Sequence, residues 1–211
     1  ESGRMTVKNE EFSFSNALAQ VNTIISGQCG DKGIDYECRV QGDVDDYYIG
    51  DDMKLRQVLI NILGNAVKFT EPGGAVSFIV EEAARLNGKT TLRFIISDTG
   101  IGMSKEYLPK LFEPFSQENS GTTNKYGSSG LGLAITKGIV DMMNGKIEVD
   151  SEKGKGTTFT ITLTLLNSGH SDVVESNDVE IRPSEMSVLV VDDDDVALQH
   201  AKVVLEKSGI A

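Results

Sequence analysis

The chain has 211 residues, with 32 acidic against 20 basic side chains and a net charge of −12. That balance leaves no basic surplus to neutralise a nucleic-acid backbone, although a small phosphate compound held by a few local groups stays possible. Two cysteines, Cys29 and Cys38, are too few for a disulfide framework and fit a reducing, cytoplasmic compartment; no apolar run approaches the ~18 residues of a membrane span.

The start, Glu-Ser-Gly-Arg, lacks an initiator Met, a basic lead and an apolar signal core, and reads as that of an excised fragment. Phe14, Leu18, Val21 and Ile25 form one stripe and predict a helix over 13–26. Short strands are expected at 36–40 and 47–49. Asp51 or Asp52 then caps a helix over 53–69, closed off by Pro72-Gly73-Gly74. Val76, Phe78 and Val80 alternate as a strand, as do Leu92, Phe94 and Ile96, with Asn87-Gly88 between them as a hairpin turn. A short helix is expected at 104–111 and a longer one at 131–143, ending before Asn144-Gly145. Strands follow at 147–150 and 157–165. In the last, Phe159, Ile161, Leu163 and Leu165 fall on one face and Thr158, Thr160, Thr162 and Thr164 on the other, so one face is buried and one hydrated. Hairpins dominate and helices cover a single face. The expected fold is therefore α/β (α+β): a two-layer sandwich of a mixed, largely antiparallel sheet under helices, not a doubly wound parallel sheet. Residues 167–185 are polar and acidic and read as a linker. Residues 186–211 form a βα fragment below the size of a domain.

Three segments carry candidate chemistry. On the 53–69 helix, Lys54, Gln57, Asn61, Asn65 and Lys68 are spaced 3, 4, 4 and 3 apart, which at 100° per residue places them within an arc of about 80°. The stripe reads either as a solvated face or as a ligand face, in which amide oxygens coordinate Mg²⁺ and a lysine meets phosphate. Asp98 ends a core-facing row and precedes Thr99-Gly100-Ile101-Gly102. Its carboxylate either accepts from an adenine amino group beside open glycine backbone or caps the helix at 104–111. The stretch FEPFSQENSGTTNKYGSSGLG, 112–132, is polar between Phe112, Phe115 and the next helix. It reads either as a surface loop or as a phosphate cradle at a helix N-terminus, with Lys125 in reach.

In chain order, NxxxNxxK, DTGIG, FEPF and GSSGLGLAI resemble the catalytic ATP-binding domain of sensor histidine kinases. That domain belongs to the ATPase superfamily shared with type II topoisomerases and MutL. The resemblance covers 12–166, and GDDMKLRQVLINILGNAVKFTEPG looks like the family's N box almost throughout. It implies a Bergerat-type ATPase fold, with ATP and Mg²⁺ as cofactors. By matching position, Asn61, Asn65 and Lys68 would be the catalytic positions. Asn61 and Asn65 would belong to the Mg²⁺ site, Lys68 would contact phosphate and Asp98 would accept from adenine. Gly100 and Gly102 would open the base pocket. Phe112 and Phe115 would anchor a lid, Lys125 would reach from it, and Gly130, Leu131 and Gly132 would approach the phosphates. Ser128, Ser129 and Asn124 stand where the family often has Gly, Thr and Arg. Residues 1–11 look like the end and exit of a preceding dimerisation helix.

MSVLVVDDDD resembles the first strand and acidic pair of a response-regulator receiver domain, in which Asp192 and Asp193 would help hold Mg²⁺. The two histidines, His170 and His200, do not sit in the family's phospho-accepting context. The implied acceptor is a histidine on a dimerisation domain, within a homodimeric hybrid kinase that is either wholly cytoplasmic or anchored in a membrane. A related topoisomerase or mismatch-repair ATPase would carry a carboxylate base where Asn61 stands. A degenerate nucleotide-sensing scaffold is the remaining alternative.

Overall fold

The computed structural model describes residues 6–118 and 130–169. At its start one residue ends a strand and opens a helix. Glu10–Ser13 (β1) runs into Phe14–Lys32 (α1), and the Ser13 hydroxyl accepts from the Asn16 N–H at 3.3 Å as the helix cap. β1 was not expected: residues 6–9 take no helix and Glu10 and Glu11 are strand, so a boundary at residue 12 cuts β1. α1 continues past the expected end at Ser26, because Cys29 adds one more buried position to its stripe. Gly33, at φ +68°, stops it, with the Ile34 N–H donating to the Cys29 carbonyl at 2.9 Å.

Asp35–Gln41 (β2) and Tyr47–Gly50 (β3) lead to Asp52–Phe69 (α2). Asp51 caps α2 by accepting from the Lys54 N–H at 3.0 Å, and it also accepts from the Lys8 N–H at 3.0 Å. Ala75–Leu86 (β4) and Lys89–Asp98 (β5) form the expected hairpin. Asn87 at φ +52° and Gly88 at φ +71° give the two left-handed positions of its turn. The expected helix at 104–111 shrinks to one 3₁₀ turn, Leu108–Lys110. Pro109 lacks an N–H and disfavours helical geometry at the residue before it. Gly132–Met142 (α3), Lys146–Glu152 (β6) and Gly156–Asn167 (β7) complete the fold. Asn167, assigned above to the linker, closes β7 and holds Thr90 and Asp45 through its side chain.

The sheet order is β1-β3-β7-β5-β4-β2, with β6 also on β7; only β2 and β4 pair in parallel. One face carries Val76, Phe78, Val80, Leu92, Phe94, Ile96, Phe159, Ile161, Leu163 and Leu165 into a core shared with all three helices. On the other face Ser97 pairs with Thr158 and Thr91 with Thr164, hydroxyl to hydroxyl, each at 2.9 Å. The two-layer sandwich is as expected, and it leaves α2 between α1 and α3 over the sheet. No helix among the described residues is long and apolar enough to cross a membrane. The residues that carry the receiver resemblance, with Asp192 and Asp193, lie outside the described residues, as do Lys125, His170 and His200.

Candidate functional site

The amphipathic pattern of α2 sets the site. Leu55, Val58, Leu59, Ile62, Leu63, Ala66 and Val67 are buried, so the amide stripe faces outward and along α3. Gln57, Asn61, Asn65 and Lys68 line a cleft of about 580 Å³, closed on the other side by Gly132, Ile135 and Thr136 of α3. The structure thus brings together Asn61, Asn65, Lys68 and Gly132. Lys54, in the first turn of α2, is not part of the lining. Gly132 leaves room for the Asn61 amide where it sits, because a Cβ there would stand 2.7 Å from Asn61 Oδ1. Asn61 Nδ2 donates to Thr136 Oγ1 at 2.6 Å. Thr136 was missed from the sequence, where a single Thr in an apolar helix gives no periodic signal; its i+4 spacing from Gly132 is what puts it on the cleft face.

At the C-terminal end of α2, Lys32 Nζ donates to the carbonyls of Val67 and Lys68, both at 2.8 Å. A cation from α1 therefore meets the negative end of the helix, and the Lys68 ammonium is left for the cleft. Burial pulls the Lys68 pKa below its ordinary range. Its Nζ lies 5.3 Å from the Phe69 ring centre.

The DTGIG turn abuts the same end of α2. Ile101 N–H donates to the Phe69 carbonyl at 3.2 Å. A Cβ on Gly100 would stand 2.5 Å from that carbonyl oxygen, and one on Gly102, at φ +59°, 2.0 Å from the Glu152 carbonyl. Both glycines are therefore fixed by backbone contact. Asp98 does not cap a helix at 104: its Oδ1 accepts from the Gly100 N–H at 2.8 Å, within its own turn. Burial pushes the Asp98 carboxyl up, and the N–H groups of Gly100 and Thr157 pull it part of the way back. Asp98 is not in the cleft lining; it flanks the cleft across the last turn of α2.

Phe112 and Phe115 part company. Phe112 packs on the core, but Phe115 is 73% exposed at φ +61°, which turns its ring outward, so it is no buried anchor. Its backbone N–H instead donates to the Gly130 carbonyl at 3.0 Å. Gly130 has φ +70°, and a Cβ there would meet the Phe115 Cα at 2.9 Å. Residues 115 and 130 thus pin together the two ends of the segment that contains Lys125. Glu118 accepts from the Ser104 N–H at 3.0 Å and pairs with Lys153 at 3.0 Å. α3 begins at Gly132 without a side-chain cap, with Leu131 at the cap position; a helix N-terminus is the kind of place where backbone N–H groups meet an anion.

Among the described residues no group of three His, Cys, Asp or Glu could hold a metal. Asn61 and Asn65 nonetheless offer hard amide oxygens one turn apart beside Lys68, which suits Mg²⁺. That ion keeps most of its water and takes few protein ligands when it rides on phosphates.

The model of the histidine kinase-, DNA gyrase B- and HSP90-like ATPases matches residues 50–167. The chain is 36% identical over 199 residues to the autoinducer 2 sensor kinase/phosphatase LuxQ of Vibrio parahaemolyticus serotype O3:K6 (strain RIMD 2210633), covering 92% of this chain and 23% of that protein. It is 34% identical to the signal transduction histidine-protein kinase BarA of Escherichia coli (strain K12), over 78% of this chain and 18% of that one. The chain therefore spans under a quarter of the length of these curated relatives. Among solved structures it is similar to full-length ShkA in complex with AMPPNP, with TM-score 0.63 and 30% identity over 80% of this chain and 33% of that one. It is also similar to the mycobacterial sensor histidine kinase MprB, with TM-score 0.60 and 25% identity over 76% of this chain and 99% of that one.

Proposed function

The chain belongs to the histidine kinase-, DNA gyrase B- and HSP90-like ATPases, and we propose that it is the ATP-binding catalytic module of a hybrid sensor histidine kinase. The observation that carries this reading is the cleft in which α2 offers Asn61, Asn65 and Lys68 against Gly132 of α3, with Asp98 beside the C-terminal end of α2. Asp98 accepts from the adenine amino group; Gly100 and Gly102, whose missing side chains leave room for the Phe69 and Glu152 carbonyls and not for a base, hold the turn that presents it. Lys68 neutralises phosphate charge, assisted by Lys125 and by the backbone at Gly130, Leu131 and Gly132, where α3 begins. Asn61 and Asn65 would hold Mg²⁺ through their carbonyl oxygens, and the cation, when bound, would supply charge neutralisation to the triphosphate.

Phosphoryl transfer asks mainly for positioning and charge stabilisation. The acceptor histidine nitrogen forms a bond to the γ-phosphorus as the bond to the β–γ bridging oxygen breaks, and ADP leaves. That histidine belongs to a separate dimerisation domain of the full-length, homodimeric protein, working on the cytoplasmic side. Residues 186–211 begin a receiver domain, in which Asp192 and Asp193 would hold Mg²⁺. A hydrolytic role is disfavoured because Asn61, an amide engaged with Thr136, has no base to offer a water.

The test is a calorimetric titration with Mg-ATP of wild type and Asp98→Asn. Micromolar binding lost in the variant supports the reading, and phosphohistidine on a dimerisation domain added in trans extends it to transfer. No binding by well-folded wild type moves the scaffold reading to the front.

A further inference from the structure

An Asn amide is two-faced: its oxygen attracts a cation and its NH₂ group repels one. On a solvated helix nothing selects between them, yet a cation site needs one particular face. One turn of α3 flanks Asn61, with Thr136 bonded to its amide and Gly132 leaving room for it. Its Nδ2 donates to Thr136 Oγ1 at 2.6 Å, and Thr136 is only 1% exposed, so water does not compete for that bond. On the other side Gly132 has no side chain, and a Cβ there would stand 2.7 Å from Oδ1 and 3.2 Å from Nδ2. Gly132 is also the first residue of α3, the positive end of the helix, which favours an oxygen beside it over an NH₂ group. Asn65, one turn along α2, has no such clasp among the described residues.

We infer that Thr136 is a positioning residue for cation binding: its hydroxyl fixes the Asn61 amide so that the carbonyl oxygen is the atom offered to the cleft. The inference rests on the reading above that Asn61 serves the cation site. Thr136 stands in the α3 wall of the cleft with only 1% of its surface exposed, and its role here is exerted through Asn61. Valine at 136 keeps the volume and removes the acceptor, leaving the amide free to rotate, whereas serine keeps the hydroxyl.

Two measurements on the full chain test this. In the ligand-free protein, NMR of the Asn61 side-chain amide reads the clasp directly. Slow NH₂ exchange is expected in wild type and Thr136→Ser, and fast exchange in Thr136→Val; equal exchange in all three overturns the inference. The second is titration with a non-hydrolysable ATP analogue, in Mg²⁺ and in EDTA. Thr136→Val is expected to weaken binding in Mg²⁺ by about tenfold, to change binding in EDTA by less than about twofold, and to be rescued by Thr136→Ser to within about threefold. Equal losses in Mg²⁺ and EDTA mean a merely structural Thr136 and overturn it. Absence of nucleotide binding in wild type overturns the functional reading and the cation role together, while the amide signals still report whether the clasp exists.

Discussion

Gly156 lies so close to Asp98 that a Cβ added to it would stand 1.9 Å from the Asp98 carbonyl oxygen. The contact falls where β5 and β7 pair, Asp98 opposite Thr157, so crowding at Gly156 displaces the residue proposed to read the base. Gly156 also has φ +108°, in a region that L side chains avoid. Gly156→Ala should therefore cost about 3 kcal/mol or more, from overpacking and backbone strain together. Gly154, two residues earlier at φ +79°, has nothing within 4 Å of its added Cβ, and Gly154→Ala should cost only about 1 kcal/mol. Urea denaturation of both variants makes the comparison, and equal losses would show that the Asp98 contact is soft.

Asp98 carries a charge that the fold does not favour. Burial raises its pKa above the ordinary carboxylate range against the pull of the Gly100 and Thr157 N–H groups. The folded chain thus holds this proton more tightly than the unfolded chain. The resulting stability is fully present below the unfolded pKa and is lost as pH rises through the raised folded value. Stability of Asp98→Asn relative to wild type should accordingly improve as pH rises through the acid range. Nucleotide binding has the opposite dependence, because accepting from adenine uses the ionised carboxylate. Wild-type affinity should fall as pH drops through the same window. Asp98→Asn should bind about tenfold to hundredfold more weakly at neutral pH, the usual range for losing a hydrogen bond to a charged group. Affinity and urea midpoints measured across pH 4–8 check both signs; parallel pH profiles for the two proteins would remove Asp98 from base recognition.

What was legible in the sequence follows from the range of each signal. The Asp51 cap, the Asn87-Gly88 turn and the alternation of β7 are local, and each is read within a few residues. β1 was invisible because its pairing with β3 joins Glu10–Ser13 to residues some forty positions away, and half of its four residues are Glu. The last turn of α1 was hidden by Gly27 and Gly30, which lower helix propensity, whereas burial of Cys29 holds the turn in place. At the site the NxxxNxxK stripe was legible because one helical period aligns it, and Gly132 because a run of glycines leads into the next helix. Thr136, the outward turn of Phe115 and the distance of Asp98 from the cleft lining are tertiary facts without a periodic signature.

Lys68 combines burial with a role for its charge. Its pKa is lowered by desolvation, so the folded chain holds this proton less tightly than the unfolded chain. Removing the charge should not destabilise the protein at neutral pH through electrostatics, and methionine keeps the aliphatic stem that lines the cleft. Lys68→Met is therefore expected to keep its unfolding midpoint while ATP affinity falls by about tenfold, the scale of one charge-assisted contact to phosphate. Adenosine, which lacks phosphates, should bind both proteins equally. A matching loss for adenosine would mean that Lys68 shapes the pocket and does not meet phosphate.

Phe115 and Gly130 offer the opposite case, in which a natural residue is under strain. Phe115 holds φ +61° with its ring 73% exposed, so left-handed backbone costs about 1 kcal/mol with little burial to offset it. Gly at 115 relieves that strain but adds freedom to the unfolded chain, and Phe115→Gly should leave stability within about 0.5 kcal/mol of wild type. Gly130 has no such tolerance. A Cβ there meets the Phe115 Cα and carbonyl carbon at 2.9 Å and forces apart the pair joined by the Phe115 N–H to Gly130 carbonyl bond. Gly130→Ala should cost about 1–2 kcal/mol through its positive φ and the lost bond. It should also weaken ATP more than adenosine, since the segment between the two residues carries Lys125 toward the phosphates in the proposed function. Calorimetry with both ligands on both variants separates these effects. Equal losses of ATP and adenosine in Gly130→Ala would confine the Phe115–Gly130 pair to a structural role.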